Sequence, residues 1–483
     1  MKHSRRILAA LVAIFMLSSM MALYTSAAGP AITITNPYDG VNWATYGQYR
    51  TQLHTHTTAS DGSGTLAEVV EAYYAAGYHA LAITDHNVVD RGWINPNSQP
   101  FEFFFARIGA FFQNLFSEEE VTTRQLQGIT QERYRQVNDG HGRGGAPGMI
   151  RVPFGIEHGG GDDMGGLVHV NSFFADWGNG FPGGLHCFMV PVRGVTRMGS
   201  LSMINHPTLA YGNRDKSLEE VYSDRNDLLL NKEQRLFEDE EYNSSLIGIE
   251  LHNRTHDRKF WDILLTNLSP TGRNVFGVFT DDSHNATTAV DRRWVVALMP
   301  ELTYGDLFNS LEAGAFFGAR RYNSDIGPLL PGMAPQEMDE YREGLVVQST
   351  AIPEPKVTNI TAANGVISIE AQNVDVITWI SDGEIIHQGA SIDLAANLDK
   401  IGAYVRVEIW GARVDNAAGV GQGVVLYTQP FLLNYTGRPA ARLVPDTFSD
   451  PDGDFNAFIR TLYYPLFWVL DRLWEAVRPF IGY

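Results

Sequence analysis

Apolar and polar positions change period twice between residues 48 and 86. Residues 49–55 read as an extended segment, Ser60-Asp61-Gly62-Ser63-Gly64 as a turn, and Thr65-x-x-Glu68 as the capping box of a helix. Leu66, Val69, Val70 and Tyr73 recur at helical spacing and predict its buried stripe. Gly77 suits the position just past its end, and 79–84 is a second apolar strand. A strand, a helix and a strand in this order predict a parallel pair. Short apolar strands recur at 149–155, 167–173, 201–205, 246–249, 275–280 and 294–298, which implies a barrel-like α/β architecture over residues 45–350.

Two stretches depart from that rhythm. Residues 91–147 hold a Phe-rich run (101–116), an acidic patch and the loop Gly140-His141-Gly142-Arg143-Gly144-Gly145. This is an inserted cap or, equally, an amphipathic helix packed on the barrel. After Pro353-Glu354-Pro355 the pattern becomes alternating strands at 366–370, 377–380, 385–386, 404–409 and 424–427, with a hairpin turn at Asp382-Gly383. They predict a small all-β, Ig-like sandwich over 354–436. Residues 437–454 read as a polar linker and 455–483 as an aromatic amphipathic tail. In the tail Leu466, Leu470, Leu473 and Val477 keep helical spacing, while Arg460, Asp471, Arg472, Glu475 and Arg478 argue against a membrane span. Peripheral contact with a membrane or cell envelope and docking on the protein's own surface both fit the tail.

The amino terminus changes the expected location. Lys2, Arg5 and Arg6 precede an apolar run over 7–23 and the small residues of Thr25-Ser26-Ala27-Ala28, the pattern of a signal peptide (1–28) of an exported protein. The formal charge of −19 becomes −22 once those three basic residues are removed, which opposes a long nucleic-acid duplex as partner. Cys187 is the single cysteine, so neither an intrachain disulfide nor a thiolate zinc site can form, and it reads as a small buried residue.

The candidate chemistry begins at His54-Thr55-His56. Alternate residues of an extended segment share a side, so both imidazoles can face one ion. With 14 histidines in 483 residues such a pair arises by chance about 0.4 times, so it carries weight only in company. Asp61 lies in the next turn, and the second strand ends in Asp85-His86. Later strands run into Glu157, His169, His206 and Asp281-Asp282-Ser283-His284. Donors at the carboxyl ends of successive parallel strands are where α/β barrels assemble their sites. Imidazole and carboxylate without thiolate suit two or three divalent ions: zinc, manganese or iron.

These segments resemble the PHP (polymerase and histidinol phosphatase) domain. Leu53-His54-Thr55-His56, Ser60-Asp61-Gly62 and Ala76-Gly77-Tyr78-His79-Ala80-Leu81-Ala82-Ile83-Thr84-Asp85-His86-Asn87 are similar to its first two motifs. Gly155-Ile156-Glu157, Ile204-Asn205-His206-Pro207, Gly248-Ile249-Glu250-Leu251 and Asp282-Ser283-His284 are similar to later ones. The resemblance implies a distorted (β/α)7 barrel with a polynuclear site, and hydrolysis of a phosphate ester of a small molecule or nucleotide end by metal-activated hydroxide. It implies the ligands His54, His56, Asp61, His86, Glu157, His169, His206, Asp282 and His284, with His158 a rival of His169. Glu157 would bridge ions and His206 would orient substrate or complete a ligand set. Asp85 and Asp281 are candidates to fix imidazole tautomers, Asp85 also being placed among the catalytic groups. Arg320 and Arg321 are candidates to bind substrate phosphate, or are surface charges. A non-catalytic, metal-stabilised surface binding protein and a hydrolase of a non-phosphate bond are the alternatives.

Overall fold

The structure is a computed structural model and describes residues 31–86, 88–94, 128–161, 167–177, 189–207, 234–238, 243–251, 255–323, 352–415 and 421–441. The leader (1–28), the Phe-rich run (101–116), Cys187 and the tail (455–483) lie outside the described residues. In chain order the first elements are β1 (Thr33–Thr35), β2 (Gly47–Gln52), α1 (Leu66–Ala75), β3 (Ala80–Leu81), α2 (Gln131–Asn138), β4 (Ile150–Arg151), β5 (Ile156–Gly161) and β6 (Leu167–Phe173). There follow α3 (Met189–Arg197), β7 (Leu201–Ile204), β8 (Leu246–Leu251), α4 (Thr255–Leu268), β9 (Phe276–Phe279), β10 (Arg293–Met299), α5 (Tyr304–Ala313) and β11 (Phe316–Asn323). The carboxyl-terminal strands are β12 (Lys356–Ala363), β13 (Val366–Gln372), β14 (Val374–Ser381), β15 (Glu384–Gln388), β16 (Ser391–Asp393), β17 (Tyr404–Gly411), β18 (Val414–Asp415), β19 (Gly421–Thr428) and β20 (Phe431–Asn434).

The capping box forms as its spacing predicts. The Thr65 side chain accepts from Glu68 N, and the Glu68 carboxylate accepts from Thr65 N at 2.7 Å. Leu66, Val69, Val70 and Tyr73 are buried, each apolar side chain contributing about 1.5–3 kcal/mol. Part of the inserted stretch is described, and it packs on α1. Arg133 of α2 makes a bidentate pair with Glu71 at 2.6 and 2.7 Å, and Arg143 lies 3.8 Å from the Tyr74 ring centroid.

The expected barrel is not realised as a closed sheet among the described residues. β2, β3 and β4 pair in parallel, and so do β7, β8 and β9. β6 runs antiparallel to both β5 and β7, because five residues (162–166) join β5 to β6 and a parallel crossover needs a dozen or more. Two isolated parallel bridges, Thr55↔Ser283 and His86↔Glu157, join the two open sheets at one end. That end carries the histidines and carboxylates.

Among the described residues the carboxyl-terminal strands do not stand apart as an independent sheet pair. β19 pairs with β11 from Phe317↔Thr428 to Asn323↔Gln422 and β1 pairs with β20, so β14, β15 and β17–β20 extend the sheet that holds β2, while β12, β13 and β16 form a separate three-stranded sheet. One apolar core runs through both parts, from Trp294 and Phe317 to Ile367, Trp379 and Val407. A buried charge network ties α4 to β17. Arg406 donates to both Asp262 oxygens at 2.8 Å and to Glu408 at 3.1 Å, and Arg258 donates to Glu408 at 3.2 Å. Among the described residues no helix is long and apolar enough to cross a membrane.

Candidate metal centre

The chain leaves β2 still extended, with Thr55 turned away from the site: its hydroxyl donates to Ala82 O at 2.7 Å. His54 and His56 therefore face together, their Nε2 atoms 3.1 Å apart. Glu157 lies between two sets of imidazoles. Its Oε2 is 3.3 Å from His54 Nε2, 3.1 Å from His56 Nε2 and 3.1 Å from His86 Nδ1. Its Oε1 is 2.9 Å from His169 Nδ1 and 3.3 Å from His206 Nε2. Asp282 Oδ1 adds contacts of 3.3 Å to His54 Nε2 and 3.2 Å to His56 Nε2. On the outer side Asp61 Oδ2 meets His284 Nε2 at 3.1 Å and His86 Nε2 at 3.5 Å. The structure thus brings all nine expected donors into one cluster. It opens to solvent at His284 and Asp61, whose side chains are 40% and 25% exposed, while His54 and Glu157 are closed off.

The donor spacing fits divalent ions. Ligands at about 2.1 Å from one ion are about 3.0 Å apart in octahedral and about 3.4 Å apart in tetrahedral arrangement, the range seen here. Glu157 Oε2 is buried, with three ring nitrogens at contact distance and none in hydrogen-bonding geometry, as expected of an oxygen shaped for a cation. Three donor groups have ligand atoms all within 4.8 Å of one another: His56, Asp61, His86 and His284; His54, His56 and Glu157; His86, Glu157 and His169. Two donors sit in the left-handed backbone region, His206 at φ 23° and Asp282 at φ 47°, strain of the kind held at functional sites.

Groups behind the donors set their tautomers. Glu250 on β8 has one oxygen 2.7 Å from His54 Nδ1 and accepts His206 N–H at 2.8 Å with the other; it also takes the Thr280 hydroxyl. A proton on His54 Nδ1 leaves Nε2 free to ligate. Asp85 does not touch an imidazole. Both its oxygens serve the 57–60 loop, accepting from Thr57 N (2.7 Å), Thr57 Oγ1 (2.6 Å) and Ser60 Oγ (2.7 Å), which leaves it no catalytic reach. Ser60 Oγ in turn lies 3.3 Å from His56 Nδ1, so Asp85 reaches that ring only through Ser60. Asn205 donates to Glu157 Oε1 and to Asn171 Oδ1, both at 2.7 Å.

The charges are strongly coupled. Burial opposes a proton on His54, but Glu250, Glu157 and Asp282 outweigh it and hold its pKa well above the usual value. His56 behaves likewise, pushed up to about 10 by Asp61, Asp282 and Glu157 against its burial. Burial alone would raise Asp61 and Glu157, yet their imidazole neighbours drive both far below the carboxylate range. Without ions, protons on His54 and His56 offset the carboxylate charge, and a divalent cation would take their place.

Four expected residues stand elsewhere. His158 points to the opposite face of β5 from Glu157, with Nε2 2.8 Å from Ser172 Oγ and its ring 5.1 Å from that of Trp177; burial pushes its pKa down to about 3. Asp281 accepts backbone N–H groups of residues 291–293 and meets no imidazole. Arg321 is held by Asp291 at 2.7 Å, so its charge is already matched and it does not clamp phosphate at the cluster. Arg320 is buried within β11 opposite Arg293 of β10, so it is not a surface charge. Glu250 was missed as an orienting group. The signal was present: a lone carboxylate inside the apolar run Leu246-Ile247-Gly248-Ile249-Glu250-Leu251 needs a partner.

Comparison with known proteins identifies the segment that supplies the first five donors. Residues 52–157 match the PHP domain. This is a metal-dependent family, and the PHP segment here holds His54, His56, Asp61, His86 and Glu157, five of the nine donors. No curated protein matches the chain. Among solved structures it is similar to a two-domain protein from Bacteroides vulgatus containing a predicted PHP-like metal-dependent phosphoesterase, at 14% identity over 72% of this chain and 81% of that one, with a TM-score of 0.36. It is also similar to endonuclease Q in complex with a duplex bearing an abasic lesion (11% identity, 55% of this chain, 57% of that one, TM-score 0.31). The lesion-specific endonuclease from Pyrococcus furiosus gives 10% identity, 55% and 56% coverage and a TM-score of 0.30.

Proposed function

We propose that this chain is an exported metal-dependent phosphoesterase that hydrolyses a phosphate ester of a small molecule or a nucleotide end. The observation that carries the reading is Glu157, whose two oxygens face separate sets of imidazoles, as a carboxylate shared between two ions must. The residues around Glu157 would hold divalent ions, which would supply hydroxide at neutral pH and neutralise phosphoryl charge. The chain's own part is placement. Glu250 and Ser60 hold Nδ1 of His54 and His56, so that Nε2 of each is presented to the centre. His206 completes the donor set beside His169, and the exposed Asp61–His284 side admits the substrate phosphate. Export is supported by the apolar leader behind Lys2, Arg5 and Arg6, and surface attachment by the aromatic tail at 455–483.

The test is hydrolysis of p-nitrophenyl phosphate and bis-p-nitrophenyl phosphate by the purified chain. Activity is expected to vanish with chelator, return with Mn or Zn, and be absent in a folded His54→Ala variant. Turnover that survives complete metal removal, or a metal-loaded chain inert on every phosphate ester tried, overturns the proposal.

A further inference from the structure

The loop that carries Asp282 and His284 is closed at its ends by two buried groups that are not donors. The Asp281 carboxylate accepts N–H from Asp291 at 2.8 Å, Arg292 at 2.9 Å and Arg293 at 2.8 Å, and the Tyr73 hydroxyl of α1 at 3.0 Å. In the other direction Arg293 donates from Nε to Thr280 O at 2.8 Å and from its terminal NH2 to Asp281 O at 3.3 Å. These carbonyls belong to the two residues before Asp282. At φ 47° Asp282 is in the left-handed backbone region, which persists in a non-glycine residue where neighbours over-determine it. The loop also registers its neighbours: Ser283 O accepts His56 N–H at 2.9 Å and His284 O accepts Ser63 N–H at 2.8 Å. Thr280, whose carbonyl Arg293 holds, gives its hydroxyl to Glu250, the carboxylate behind His54. Moving this strand end therefore moves donors on three segments.

We propose that Arg293 is a positioning residue of the metal centre, fixing Asp282 and His284 and hence the ion held with His56, Asp61 and His86. This rests on the metallohydrolase reading above. Arginine suits the task because its rigid fork reaches two carbonyls at once, whereas lysine offers a point charge and methionine no donor.

The test uses the full chain with Arg293→Met and Arg293→Lys, reading bound metal by elemental analysis and affinity by chelator competition. Arg293→Met is expected to keep its circular dichroism spectrum and either lose one ion relative to wild type or bind it about 10–100-fold more weakly, with Arg293→Lys between. On a phosphate ester kcat falls while KM stays within about threefold. A folded Arg293→Met with wild-type metal content and affinity overturns the proposal. If Arg293→Met fails to fold, Arg293→Lys and Tyr73→Phe decide: weakened binding in both supports the clamp, and wild-type affinity in both rejects it. A wild-type chain that binds metal yet cleaves no phosphate ester defeats the proposed function, while this inference is still judged by metal content.

Discussion

Replacing Glu250 by glutamine isolates the effect of a carboxylate behind the donors with almost no change in volume. Glu250 is fully buried; one oxygen lies 2.7 Å from His54 Nδ1 and receives the Thr280 hydroxyl, and the other receives His206 N–H at 2.8 Å. An amide offers one acceptor oxygen, so its NH2 must face one of these donors. If it faces His54, the ring accepts at Nδ1 and carries its proton on Nε2, the atom that would ligate. If it faces the other side, two buried N–H groups oppose each other. A hydrogen bond to a charged group contributes about 1.5–3 kcal/mol against about 1 kcal/mol for a neutral one, so about 1–2 kcal/mol is lost, with the tautomer conflict adding to it. Loss of such an outer partner lowers metal affinity about 10–100-fold. Zn or Mn titration against a chromogenic chelator measures this directly, with His54→Ala marking full loss of the ligand. A folded Glu250→Gln binding metal within about threefold of wild type would refute the assignment of Glu250 as the group that sets the His54 tautomer.

Three further outcomes are expected. Raised imidazole pKa values stabilise the ion-free chain below the unfolded value near pH 6.5, and for His56 that stability is lost as pH rises through about 10. The depressed Asp61 and Glu157 contribute above about pH 4 and lose their contribution in acid. Buried His158, held down to about 3, also costs stability as pH falls below about 6.5, so ion-free Tm peaks near pH 6.5. Metal uptake at pH 7 then releases protons, measurable in a weakly buffered titration; no release would contradict the charge balance. His169→Ala is expected to lower bound metal while His158→Ala leaves it unchanged, because only His169 faces Glu157; elemental analysis separates them. Arg406→Ala strands buried Asp262 and is expected to cost about 3–5 kcal/mol in urea denaturation; a loss under 1 kcal/mol would mean that α4 and β17 are not joined by this network.

Much of the site was legible because its signals are local. A helix cap is decided within four residues, and His54 and His56 share a side by the twofold period of an extended chain. The same alternation, applied to Glu157-His158, places His158 on the other face and removes it as a rival of His169 without coordinates. A local signal was also incomplete: Arg321 was a candidate phosphate ligand, and only the fold brings Asp291 within 2.7 Å of it.

By itself the amino-acid pattern determined which side chains were available as donors and that His54 and His56 would share a side, since both follow from residue chemistry and backbone period. Glu157 and His169, by contrast, stand within β5 and β6 rather than at the carboxyl ends of parallel strands. The tertiary structure decided which of them meet, through pairings no local rule contains. Thr55 bridges Ser283, His86 bridges Glu157, and β19 joins β11, while β12, β13 and β16 form a sheet of their own. It also decided what stands behind each ring, because a proton on Nδ1 or Nε2 depends on whichever buried acceptor the rest of the chain brings within about 3 Å.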